Sequence, residues 1–117
     1  MFPGYFGKNA PSLYDVFLLK NRKTGKTFHL SDKISHIWFT IGSRLGILDD
    51  VLDSIMDEER QSMKCLRRVI GIWCVNAGML PNHKEYPYSW DGFRVLLEDC
   101  DKSEAAKEYF EFLDNMP

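Results

Sequence analysis

The amino-acid sequence predicts an all-α protein, an antiparallel bundle of five or six short helices preceded by an amino-terminal extension that holds a short helix or hairpin. Three observations predict it. Apolar residues recur at spacings of three and four through most of the chain after residue 31, and Gly, Pro and cap-forming residues cut that pattern into short segments. No stretch offers the strand, helix, strand order of a parallel sheet. The 117 residues, 44% hydrophobic and 27% charged, suit one domain: too apolar for a disordered segment and too short for two stacked cores. No internal repeat is visible.

Residues 1–11 hold Pro3, Gly4, Gly7 and Pro11 among aromatics and read as an irregular arm that lays Phe2, Tyr5 and Phe6 onto the domain. Two readings of residues 12–30 stand. A short helix through Leu13, Val16, Phe17 and Lys20, opened by the capping pair Ser12 and Asp15, is preferred. The other is a β-hairpin, with Tyr14, Val16 and Leu18 alternating before a polar NRKTG turn and Lys26, Phe28 and Leu30 after it.

From Ser31, a potential cap, the residues Ile34, Ile37, Trp38, Ile41 and Leu45 form one apolar stripe, predicting a single amphipathic helix that ends near Gly46. A second helix begins at Asp49 or Asp50, with Leu52 and Ile55 inward and Asp49, Asp53 and Asp57 outward. A long central helix follows through Cys65, Leu66, Val69, Ile70 and Trp73, closed by a left-handed Gly78. Gly71 within it predicts close approach of a neighbouring element. MLPNHKEYPY is a loop, after which Ser89 caps a helix with Trp90, Phe93, Leu96 and Leu97 inward. Asp101 and Glu104 form a capping box for a last helix carrying Ala106, Tyr109, Phe110 and Leu113. The expected core is Ile34, Trp38, Leu45, Leu52, Ile55, Leu66, Val69, Trp73, Trp90, Phe93, Leu97 and Phe110, within a bundle of residues 31–117 that follows an arm and short extra element in residues 1–30.

Motifs for chemistry are weak. Thr24-Gly25-Lys26-Thr27 has the tail of a phosphate-binding loop, but Lys20 stands where the leading glycine belongs. His29, His36 and His83 are dispersed, and no Cys/His spacing builds a metal site, so neither metal nor cofactor is expected. A Cys74 and His83 nucleophilic pair lacks an activating environment, and Asp49 with Asp50 on a solvated helix lacks the cleft that acid/base work needs; no enzyme is expected. Cys65, Cys74 and Cys100 read as reduced core thiols, which points to the cytoplasm. Neither a signal peptide, a membrane span nor the glycine required for myristoylation is expected: Phe2 follows the initiator.

Charge is more informative. Fifteen Lys+Arg against seventeen Asp+Glu leave a net charge of −2, which hides a strong local asymmetry. Residues 49–59 hold Asp49, Asp50, Asp53, Asp57, Glu58 and Glu59 with no base, and residues 60–68 hold Arg60, Lys64, Arg67 and Arg68 with no acid. Solvated helix faces with weak local pairs are the plain account. Complementary patches for head-to-tail association are the functional one. Lys20, Arg22, Lys23 and Lys26 form a further basic patch, the basis of an alternative reading as a small nucleic-acid-binding module.

Residues 31–113 resemble a death domain, the six-helix interaction module of apoptotic and innate-immune adaptors. ISHIWFTIGSRLGI, with Trp38 and Leu45-Gly46-Ile47, is similar to the family's first helix, and VLDSIMDEE to its second. MKCLRRVIGIWCVNAG looks like fused third and fourth helices, Ser89-Trp90 with Phe93 and Leu97 like the start of the fifth, and Ala106 with Phe110 like the sixth. Leu48 departs from the usual cap before the second helix, and the loop before Ser89 is long. The resemblance implies a non-enzymatic signalling adaptor that binds other death domains, itself included, in weak or higher-order assemblies. It implies an acidic binding face at Asp49, Asp53, Asp57 and Glu58 and a basic one at Arg60, Lys64, Arg67 and Arg68.

Overall fold

The computed structural model describes residues 16–115, and the expected Ser12 and Asp15 cap and the aromatic arm lie outside them. The chain is mostly helical with one small hairpin. Strand β1 (Leu19–Lys20) pairs antiparallel with β2 (Thr27–Phe28), Leu19 opposite Phe28. The one-turn helix α1 (Ser31–Ile34) runs through a 3-10 turn (Ser35–Ile37) into α2 (Trp38–Leu45). Then come α3 (Asp49–Glu59), α4 (Ser62–Asn76) with a 3-10 turn at Ala77–Met79, α5 (Trp90–Asp99) and α6 (Ser103–Asp114).

Of the preferred helix, Val16 and Phe17 are helical, but Leu19 and Lys20 form the first strand of the hairpin instead. Its phase also differs from the expected alternation: Leu19 is buried and Leu18 is exposed. The strands pair over two residues only, so the core is joined by whichever apolar residues the turn geometry turns inward, here Val16, Leu19 and Leu30.

The stripe from Ser31 is not one helix. Ser31 is itself buried within α1, and Leu30 precedes it with helical dihedrals and no side-chain cap. The tighter turn at Ser35–Ile37 leaves Ile37 half-buried while Ile34 and Trp38 remain in the core. At Gly46, by contrast, φ is +90°; its N–H donates to Ser43 O and that of Ile47 to Gly42 O, the paired bonds that end a helix on a left-handed residue.

Two further expected caps fail, after Ser31. Gly78 is inside the 3-10 turn and has no positive φ, so α4 ends by tightening. Asp101 does not open α6: with φ +60° it closes α5, its N–H donating to Glu98 O at 3.1 Å and that of Lys102 to Leu97 O at 2.9 Å. Aspartate tolerates the left-handed region, so one residue that reads as a start serves as a stop. Ser89 does cap α5, its Oγ accepting the Gly92 N–H at 3.0 Å.

Helix α4 is the central strut, packed against α1, the Ser35–Ile37 turn, α2 and α3. The close approaches occur at Gly42, where a Cβ would meet Leu52 Cδ2 at 2.5 Å, and at Gly92, where it would meet the Pro87 carbonyl; at Gly71 there is open space, contrary to expectation. All twelve expected core residues are buried. Trp73 stacks on Phe93 at 5.6 Å, Tyr109 meets Phe93 edge-on at 5.8 Å, and Phe28 of the hairpin meets Tyr109 at 5.9 Å.

Candidate interaction surface

Helix α3 buries only Leu52 and Ile55. Positions three and four apart share a face, so Asp50, Asp53 and Asp57 stack into one outward stripe beside Asp49, and all four are exposed. Asp49 and Asp50 suit the helix amino terminus; Asp57, Glu58 and Glu59 oppose the dipole at the other end. Leu48, 70% exposed, and the exposed Val51 and Met56 border the stripe. Sequence reading passed over these three because Val51 and Met56 flank the buried Leu52 and Ile55 closely enough to pass for core, and Leu48 stood out only as a missing cap.

The basic run of residues 60–68 is less free than its composition implies. Arg68 reaches from α4 to Glu58 and Glu59, with Nη1 at 2.8 Å from each carboxylate, so the two runs close on each other here. Those hydrogen bonds push the Arg68 pKa upward and hold it charged. Arg60 has φ +60° and ends α3, its N–H donating to Met56 O and its Nε to Asp57 O at 3.4 Å. The Arg67 guanidinium lies 5.1 Å from the Phe17 ring centroid. Lys64 is exposed. Of the weak local pairing expected between the two runs, the structure shows the Arg68 fork.

Beyond Arg68 the exposed surface turns apolar: Val75, near the end of α4, is 81% exposed and Met79, in the 3-10 turn after it, 86%. Elsewhere, Asp32, Lys33, His36, Lys102 and Glu108 line an open groove of about 600 Å³, where Lys33 pairs with Glu108 at 3.2 Å and Lys102 Nζ lies 3.2 Å from His36 Nε2. Asp101 and Glu104 line it as well.

The hairpin carries Lys20, Arg22, Lys23 and Lys26, all exposed. Gly25, at φ +73°, serves its turn, so the Thr24–Thr27 segment that resembled a phosphate loop is a hairpin tip with no helix behind it to aim amides at an anion.

Thiol chemistry has little to work with. Cys65 and Cys100 are buried and Cys74 half-buried. Burial, then the nearby Glu59 charge, raises the Cys65 pKa, and burial lifts Cys100 to about 11, so neither offers a thiolate near neutrality. His83 Nδ1 sits 2.8 Å from the Leu80 carbonyl. Among the described residues no group of three His, Cys, Asp or Glu side chains is arranged to hold a metal ion, and no helix is long and apolar enough to cross a membrane. No family model, no curated protein and no solved structure matches this chain.

Proposed function

We propose that the chain is a protein-interaction module of the death-domain type, a cytoplasmic adaptor that binds other death domains, itself included, in apoptotic or innate-immune signalling. The helix order supports this reading: a bent first helix from α1 to α2, then α3, a single long α4 in place of the third and fourth, then α5 and α6. The observation that carries it is the outward face of α3. Four exposed aspartates without an ion pair among the described residues, spaced to repel one another, are bordered by exposed Leu48, Val51 and Met56. Like charges at this spacing destabilise a helix by about 0.2–0.5 kcal/mol per pair, and a cationic partner removes that repulsion. Such contacts are weak singly and become effective through many copies held together.

The test is association of Asp53→Arg and Arg67→Glu variants, followed by light scattering and by pull-down with death-domain partners. Asp53→Arg is expected to weaken association at least about tenfold with helicity unchanged. If both variants stay folded and associate fully, the reading is wrong. The second reading, nucleic-acid binding, rests on the four hairpin cations and requires a steep fall in affinity with salt.

A further inference from the structure

We propose that the β1–β2 hairpin is a docking surface for the acidic face of α3 on a second copy of this chain. The inference rests on the interaction-module reading and names the basic surface that the α3 face meets.

Charge selects the pair. Residues 20–27 hold four bases and no acid, residues 49–57 four acids and no base, so the two surfaces are equal and opposite. No ion pair joins Lys20, Arg22, Lys23 or Lys26 to any described residue, and none joins Asp49, Asp50, Asp53 or Asp57. The run of residues 60–68 is the weaker candidate. Arg68 is held by Glu58 and Glu59, Arg60 closes α3, and Arg67 stacks on Phe17, which leaves Lys64.

The hairpin tip is also built to hold its shape. Asn21 N–H donates to Lys26 O and Gly25 N–H to Asn21 O, each at 2.8 Å. Asn21 Oδ1 accepts the N–H groups of Lys23 at 3.0 Å and Thr24 at 3.3 Å. The remaining side of that amide, Nδ2, donates to Asn115 O at 3.3 Å, tying the tip to the end of α6. A surface ordered before binding gives up little entropy on docking. Leu18 beside the bases, and Val51 and Met56 beside the acids, are exposed and add an apolar component to the ionic one.

Because the two surfaces differ, the contact is heterologous, and each copy keeps one unused hairpin and one unused α3 face. Repetition builds an open chain or a ring.

Sedimentation velocity of the full chain at about 50 mM salt, where surface charges are little screened, tests this. Arg22→Glu/Lys23→Glu and Asp50→Lys/Asp53→Lys are each expected to weaken self-association at least about tenfold, while Lys64→Glu/Arg67→Glu changes it less than about threefold. Mixing the hairpin-reversed and α3-reversed chains is expected to restore assembly, since each then meets an opposite charge; this rescue also excludes misfolding as the cause. If reversal of α3 weakens association but reversal of the hairpin does not, the inference falls and the interaction-module reading stands. If neither matters, both fall. A wild-type chain that stays monomeric overturns the inference alone. So does a hairpin reversal that spares self-association but abolishes salt-dependent binding of a short DNA duplex.

Discussion

Helix α4 has two faces that differ as much as any two regions of the molecule. Inward, Cys65, Leu66, Val69, Ile70 and Trp73 are buried, and Trp73 stacks on Phe93 while its Nε1 donates to the Tyr86 carbonyl at 3.2 Å. Outward, Lys64 and Arg67 are exposed, Gly71 faces open space, and Val75 is almost bare. The same helix therefore carries the interior of the fold and a surface on which the fold scarcely depends. Substitutions on the inner face are expected to cost far more stability than those on the outer one. Three measurements probe that contrast.

The largest effect is expected from Trp73→Ala. Removing a fully buried indole leaves a cavity and costs about 3–5 kcal/mol, measured by urea unfolding. A loss below about 1 kcal/mol, the range of ordinary surface changes, would mean that the inner face is not the core.

An intermediate effect is expected at high pH, from two buried groups outside α4. Burial, then the hydrogen bond to Asp99 at 2.7 Å, lifts the Tyr86 phenol to about 12, and burial lifts the Cys100 thiol to about 11. Both hold their protons more tightly folded than unfolded. Their contribution is whole below the unfolded values of 9.0 and 10.0 and is lost as pH rises through the folded ones. Thermal melting is expected to hold up to about pH 9 and fall steadily to about pH 12, and Tyr86→Phe should remove the upper part of the fall. A flat alkaline profile would show that these groups are not buried as described.

The smallest effect, and one of opposite sign, is expected from Gly71→Ala. With nothing within 4 Å of an added Cβ, the substitution is expected to stabilise α4 by about 0.5–1 kcal/mol through helix propensity alone. A loss in melting temperature would place a neighbour against the outer face.

Much of the helical layout was legible because burial and helical period coincide. Leu52 and Ile55, or Trp90, Phe93, Leu96 and Leu97, recur at three and four and have one face to hide. The caps were legible only where local chemistry had a single meaning. Ser89 accepts a backbone N–H whatever surrounds it, whereas Asp101 suits a helix start and a left-handed stop equally well, and at φ +60° it is the stop. Gly71 and Gly42 look alike in a helical pattern; that Leu52 crosses over Gly42 and nothing crosses over Gly71 follows from how α3 lies. The acidic stripe of α3 was visible as composition, but its freedom was not, since that depended on Arg68 reaching only Glu58 and Glu59.

The sequence by itself determined a helical core, its principal residues and the presence of strong opposite charge runs, because period, hydrophobicity and charge are properties of short stretches. Tertiary structure decided which charges were spent inside the molecule and which remained outside. It also decided that residues 19–28 form a basic hairpin tied by Asn21 to Asn115, because a contact across 94 positions has no local signature.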